Sequence, residues 1–119
     1  MTYWNIDELT GYKPKTTFYT DFSIADAFGT GAIRDTYERA FNEWKTDTEY
    51  VTELVMVLNW KSWEHHDRGL LAEQEGDTLT ADWHTDLVEL YCSLYEEADA
   101  WCMDNLTGED LSYFLRTTD

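Results

Sequence analysis

Residues 80–105 carry the pattern that most restricts what this chain can become. At 100° per residue, Trp83, Leu87, Leu90, Tyr91, Leu94, Tyr95, Ala98, Trp101 and Cys102 fall within an arc of roughly 140°. Asp82, Asp86, Glu89, Glu96, Glu97 and Asp104 fall within roughly 100° on the opposite side. A stretch divided in this way is satisfied by a single amphipathic helix ~39 Å long, with rings inward and carboxylates outward. Such a helix needs an apolar surface to lie on, so the remainder of the chain has to supply one.

Helical periods supply it. Ile33, Tyr37, Ala40, Phe41 and Trp44 recur at i, i+4, i+7, i+8 and i+11 after Thr30-Gly31, which predicts one helix. Ser23 and Asp26 have capping-box spacing for a short helix before it, ending at Gly29. Thr46 and Glu49 repeat that spacing and open a third helix, carried to about Asp67, with Gly69 as its stop. That third helix is apolar through Tyr50, Val51, Leu54, Val57 and Leu58, with a second stripe of Met56, Trp60 and Trp63. It is therefore expected at the centre of the fold, touched on two sides.

Glu73, Glu75, Gly76 and Asp77 mark residues 70–80 as an acidic loop with room for helical turns at either end, and Glu109 and Asp110 lead a short closing helix through Leu111, Tyr113, Phe114 and Leu115. Residues 1–22 have no helical period but hold eight large apolar side chains, among them Trp4, Phe18 and Phe22, broken by Gly11 and Pro14. They read as an arm that packs down, with a short strand within 16–22. The expected fold is mainly α: one domain, a small bundle of four to five helices over 23–119 preceded by that irregular, aromatic-rich arm.

At 119 residues, with 43% apolar and 16% aromatic residues, the chain can build a core without staples and is too hydrophobic for disorder. Cys92 and Cys102 lie ten residues apart on the predicted helix, ~15 Å, too far to bridge, which suits a reducing compartment. Nothing near Met1 resembles a signal peptide, and the longest apolar run, 54–58, is far short of a bilayer. The expectation is a cytoplasmic protein that binds no membrane.

Net charge is −17, and it is lopsided. Residues 1–69 carry twelve acids against seven Lys or Arg, whereas residues 70–119 carry thirteen against Arg116 alone. A solvated helix face normally mixes in Lys or Arg at i+4 to gain ~0.2–0.5 kcal/mol per pair, and the acidic ridge of 80–105 never does. It is either a solubilising face or a surface that meets a basic protein, in the sharpest form as an imitation of nucleic acid on an enzyme that binds it. The predicted helix is about as long as one duplex turn, ~34–36 Å, but six or seven acids stand against about twenty phosphates, so mimicry by this element alone is partial. Direct nucleic-acid binding is excluded by the same field.

Other chemistry finds no pattern. The chain has no H-E-x-x-H, E-x-x-H or C-x-x-C, and the adjacent His65 and His66 project about 100° apart on a helix, so no metal or other cofactor is expected. His65 and His84 fall on apolar faces and read as core or boundary residues. No nucleophile-and-base signature, P-loop or dinucleotide motif is present, and the acidic surroundings of the cysteines raise rather than lower a thiol pKa. Catalytic residues are not assigned. Met56, Trp60 and Trp63 are expected to lie under the N-terminal arm or to form an aromatic contact surface, the latter leaving room for a homo-oligomer.

The stretch Thr20-Asp21-Phe22-Ser23-Ile24-Ala25-Asp26-Ala27-Phe28-Gly29, with Ala32-Ile33-Arg34-Asp35-Thr36-Tyr37 and Leu111-Ser112-Tyr113-Phe114-Leu115-Arg116, resembles uncharacterised small acidic proteins of gut bacteria, prophages and conjugative elements. That resemblance implies an accessory or counter-defence role and assigns no activity to any residue.

Overall fold

In the computed structural model, which describes residues 14–118, the chain is mainly α. Five helices follow one another among those residues: α1 Phe18–Asp26, α2 Thr30–Trp44, α3 Thr48–Gln74, α4 Thr78–Asn105 and α5 Gly108–Thr118. No strand is found among the described residues. Most of the N-terminal arm lies outside them.

The spine is the antiparallel hairpin of α3 and α4, 27 and 28 residues long and so each ~40 Å. Its turn is tight. Gly76 takes φ +78°, which favours glycine, and the Asp77 carboxylate accepts from the Thr80 N–H at 3.1 Å to start α4. The loop expected over 70–80 therefore shrinks to 75–77, because α3 runs through Gly69 to Gln74. Gly69 is no stop: a Cβ there would sit 3.4 Å from the His84 Cβ, and the missing side chain lets α3 and α4 come close. Asp47, not Thr46, caps α3, accepting from the Tyr50 N–H at 3.1 Å.

The segment expected to hold a strand is the start of α1. Its backbone is anchored from far away in the chain: the buried Glu53 carboxylate accepts from the N–H groups of Lys15 at 2.7 Å and Thr16 at 2.9 Å, and from the Thr16 hydroxyl. Phe18, Phe22 and Ala25 then fall on one face and are buried. α1 thus opens five residues before Ser23, with Thr17 at its N-cap.

Leu54, Val55, Val57 and Leu58 of α3 face Leu87, Tyr91, Leu94 and Ala98 of α4, with Phe22 and Ile33 closing the core from α1 and α2. Each Val, Leu, Ile or Phe among them, fully buried, contributes about 1.5–3 kcal/mol. Rings lock the periphery: Trp44 lies 4.3 Å from Tyr50, and Phe41 meets Trp101 edge-on at 5.4 Å. α3 is buried at Val51, Leu54, Val57 and Leu58 of its first stripe and also at Thr52, Glu53, Val55, Lys61 and Glu64, whereas its second stripe is only partly covered, Trp63 being 53% exposed.

Candidate functional site

Two polar regions stand out on this frame, one wet and one dry. The wet one is the outer face of α4. Asp82, Asp86, Glu89, Glu96, Glu97 and Asp104 are all exposed, while Leu87, Tyr91, Leu94, Ala98 and Cys102 on the opposite face are buried. Trp83 departs from the expected inward set, being 42% exposed. From Asp82 to Asp104 the carboxylates span ~33 Å of helix. Their row is uneven: Asp82, Asp86 and Glu89 occupy two turns, Glu96 and Glu97 follow, and the intervening positions in phase are Ser93 and Ala100, both exposed.

Among the described residues no cation neutralises this row. Lys15 pairs with Glu49, and Lys61 and Arg68 pair with Asp26 and Glu64, so none of the ion pairs reaches α4's outer face. Glu97 stands near enough to matter to Tyr37, whose hydroxyl is pushed well above its usual range by burial first and that carboxylate second. At the row's edge, burial raises the Asp99 carboxyl above its ordinary value.

The dry region lies where α1 crosses the hairpin, and it joins residues that no sequence motif connects. Lys61 is fully buried, with Nζ 2.6 Å from Asp26 Oδ2 and 2.5 Å from Glu64 Oε2. Ser23 Oγ lies 3.1 Å from the same nitrogen. Tyr91 donates its hydroxyl to Asp26 Oδ1 at 2.5 Å, Tyr19 donates to Glu64, and Arg68 reaches Glu64 from the rim at 3.3 Å. His65 bridges the two helices, with Nε2 2.9 Å from Asp26 Oδ2 and Nδ1 2.9 Å from His84 Nδ1.

Each member has a role in neutralising the others. Burial alone would push the Asp26 carboxyl up, but the His65 hydrogen bond and the Lys61 ammonium outweigh it and hold the group below its ordinary value. Burial and the Asp26 carboxylate drive the Tyr91 phenol far up, so it stays a donor. His84 is lowered by burial and then by the neighbouring His65 and Arg68.

Asp26, Glu64 and His65 bring one ligand atom each within 4.8 Å of one another, a spacing that could hold a metal ion. Between the two carboxylates the position of a cation is already taken by Lys61 Nζ, and the donors Tyr19, Tyr91 and His65 saturate the remaining oxygens. The donor set fits an internal ammonium, and its chemistry is that of a satisfied buried ion cluster that fixes α1 against the hairpin. The signal in the sequence was weak but present: Lys61, Glu64 and His65 continue the apolar phase of Leu54, Val57 and Leu58, where a charged residue needs a partner.

Of the aromatic stripe, Met56 and Trp60 are half-buried and Trp63 is 53% exposed. Residues 1–13 of the arm expected over it lie outside the described residues. Both cysteines are free, Cys92 exposed and Cys102 buried, with burial and then Asp99 pushing the Cys102 thiol up to about 12, away from nucleophilic use. No described helix is long and apolar enough to cross a membrane.

No protein-family model, curated protein or solved structure matches this chain. What can be read of its role therefore rests on the α4 face, the buried ion cluster and the packing around them.

Proposed function

We propose that the protein is an acidic interaction module that presents the outer face of α4 to a basic protein partner, of the kind whose own basic groove binds nucleic acid. The observation that carries this reading is the row of six exposed carboxylates, unpaired among the described residues and backed by the buried Leu87, Tyr91, Leu94, Ala98 and Cys102. Asp82 with Asp86, and Asp86 with Glu89, repel by ~0.2–0.5 kcal/mol per pair, a cost that a cationic partner converts into attraction. The carboxylates are sparser than phosphates on a duplex, so imitation of nucleic acid is a matter of field and length rather than of atom-by-atom copying.

The test is capture. Immobilised protein should retain a basic protein that elutes as salt rises and is displaced by duplex DNA, and the variant D86K/E89K/E96K, folded as judged by circular dichroism, should lose it. Unchanged capture by that variant would overturn the reading.

A second reading, self-association, draws on a different face. The stripe of α3 extends beyond Trp63 to Leu70 and Leu71, which are 44% and 48% exposed, and across the hairpin turn Leu79 is 83% exposed. Apolar association of this kind is insensitive to salt, so light scattering at low and high ionic strength separates it from charge-driven docking.

A further inference from the structure

α1 and α2 turn back on each other at Gly29, whose φ of +104° favours glycine, and leave between them an open groove of about 580 Å³. Its buried floor is made of small or flat side chains, Ala25, Ala40 and Phe18, with the half-buried Ala32 and Trp44 also lining it. On the α1 side Ile24 and Phe28 stand 58% and 78% exposed, so the groove has an apolar wall that no described residue covers. Small residues on the floor are what allow another backbone to come close. From Ala32 to Trp44 the groove follows α2 for ~18 Å, the rise of about three helical turns.

Charge selects the occupant. Asp21, Asp35 and Glu43 line the groove against one cation, Arg39, whose Nε is turned back to the Asp35 carbonyl at 3.5 Å. A second copy of this chain would bring another acidic rim and a further net charge of −17 against the first. We propose that the groove between α1 and α2 is a docking site for a basic amphipathic helix, its apolar side on Ile24, Phe28 and the alanine floor and its Lys or Arg side chains beside Asp21, Asp35 and Glu43. Helix-in-groove recognition uses apolar anchors at i, i+3 or i+4, and i+7, and three turns supply that set. The inference rests on this groove and is independent of the α4 face.

Three labelled synthetic helices test it by fluorescence polarisation: a Leu/Lys amphipathic helix, a Leu/Glu helix of the same pattern, and a Ser/Lys helix of the same charge without an apolar side. The Leu/Lys helix should bind the wild type, and the other two should not. The double substitution Ile24→Glu and Phe28→Glu changes two exposed side chains and adds negative charge, so any weakening comes from lost apolar contact; a loss of at least roughly tenfold is expected. D86K/E89K/E96K should keep the binding. Equal binding by the Ser/Lys helix, indifference to the groove substitutions, or loss of binding in the α4 variant would each overturn the proposal. So would sedimentation equilibrium showing that Ile24→Glu with Phe28→Glu turns a dimer into a monomer, because the groove would then be an interface between copies.

Discussion

Nδ1 of His65 lies 2.9 Å from Nδ1 of His84, so one of the two nitrogens donates and the other accepts across the joint between α3 and α4. Because His65 also meets Asp26 through Nε2, the two contacts form one buried chain running from the Asp26 carboxylate through His65 to His84. This contact links α3, α4 and α1 at a single buried point.

Stability is expected to fall on mild acidification. The His84 pKa is lowered from its ordinary 6.5 on folding, by burial, then by His65 and Arg68, against the smaller opposing pull of Asp26 and Glu64. Below 6.5 the unfolded chain therefore binds more protons than the folded one, so this contribution is complete above that value and is lost as pH falls toward the lowered one. Thermal melts between about pH 8 and about pH 5 should show a declining Tm in the wild type and a shallower decline in His84→Gln. Asp26, lowered below 3.8, adds its own loss only at more acidic pH.

Two tyrosine hydroxyls should behave oppositely. Tyr91 donates to Asp26, and Tyr91→Phe leaves a buried carboxylate oxygen short of a donor, at a cost of about 1–3 kcal/mol. The Tyr37 hydroxyl is buried with no partner among the described residues, so Tyr37→Phe should be neutral or stabilising by up to about 1–3 kcal/mol. Urea unfolding of the two variants measures both signs.

Removing the internal cation should be the most damaging single change in the cluster. Lys61→Met strands Asp26 and Glu64 together in the interior, an expected loss of about 3–5 kcal/mol. The triple variant K61M/D26N/E64Q should recover much of it. With the ammonium in place, Mg²⁺, Mn²⁺ or Zn²⁺ should leave the wild-type Tm unchanged; a clear rise would show that a metal can displace Lys61.

The parts of this fold legible in the sequence are those whose cause is local. The period of 80–105 placed α4 within two residues of its start, and the stripe from Ile33 to Trp44 placed α2. What was misread depends on neighbours distant in sequence. α1 begins before Ser23 because Glu53, 38 residues from Lys15, holds the backbone ahead of it. Gly69 reads as a stop until His84 is seen against it. The buried cluster was missed for the same reason: Asp26 looked like half of a capping box, Lys61 drew no reading, and only the crossing of α1 over the hairpin joins them.

The docking claim for α4 depends on where the carboxylates are, not only on how many there are. The most direct measurement compares capture of a salt-eluted, DNA-displaced basic protein by D86K/E89K/E96K and by E38K/E73K/E109K, which reverses three exposed acids elsewhere and gives the same net charge. Capture is expected to be lost with the first variant and kept with the second. Equal loss with both would reduce the face to bulk charge, and retention by both would leave α4 with no part in binding.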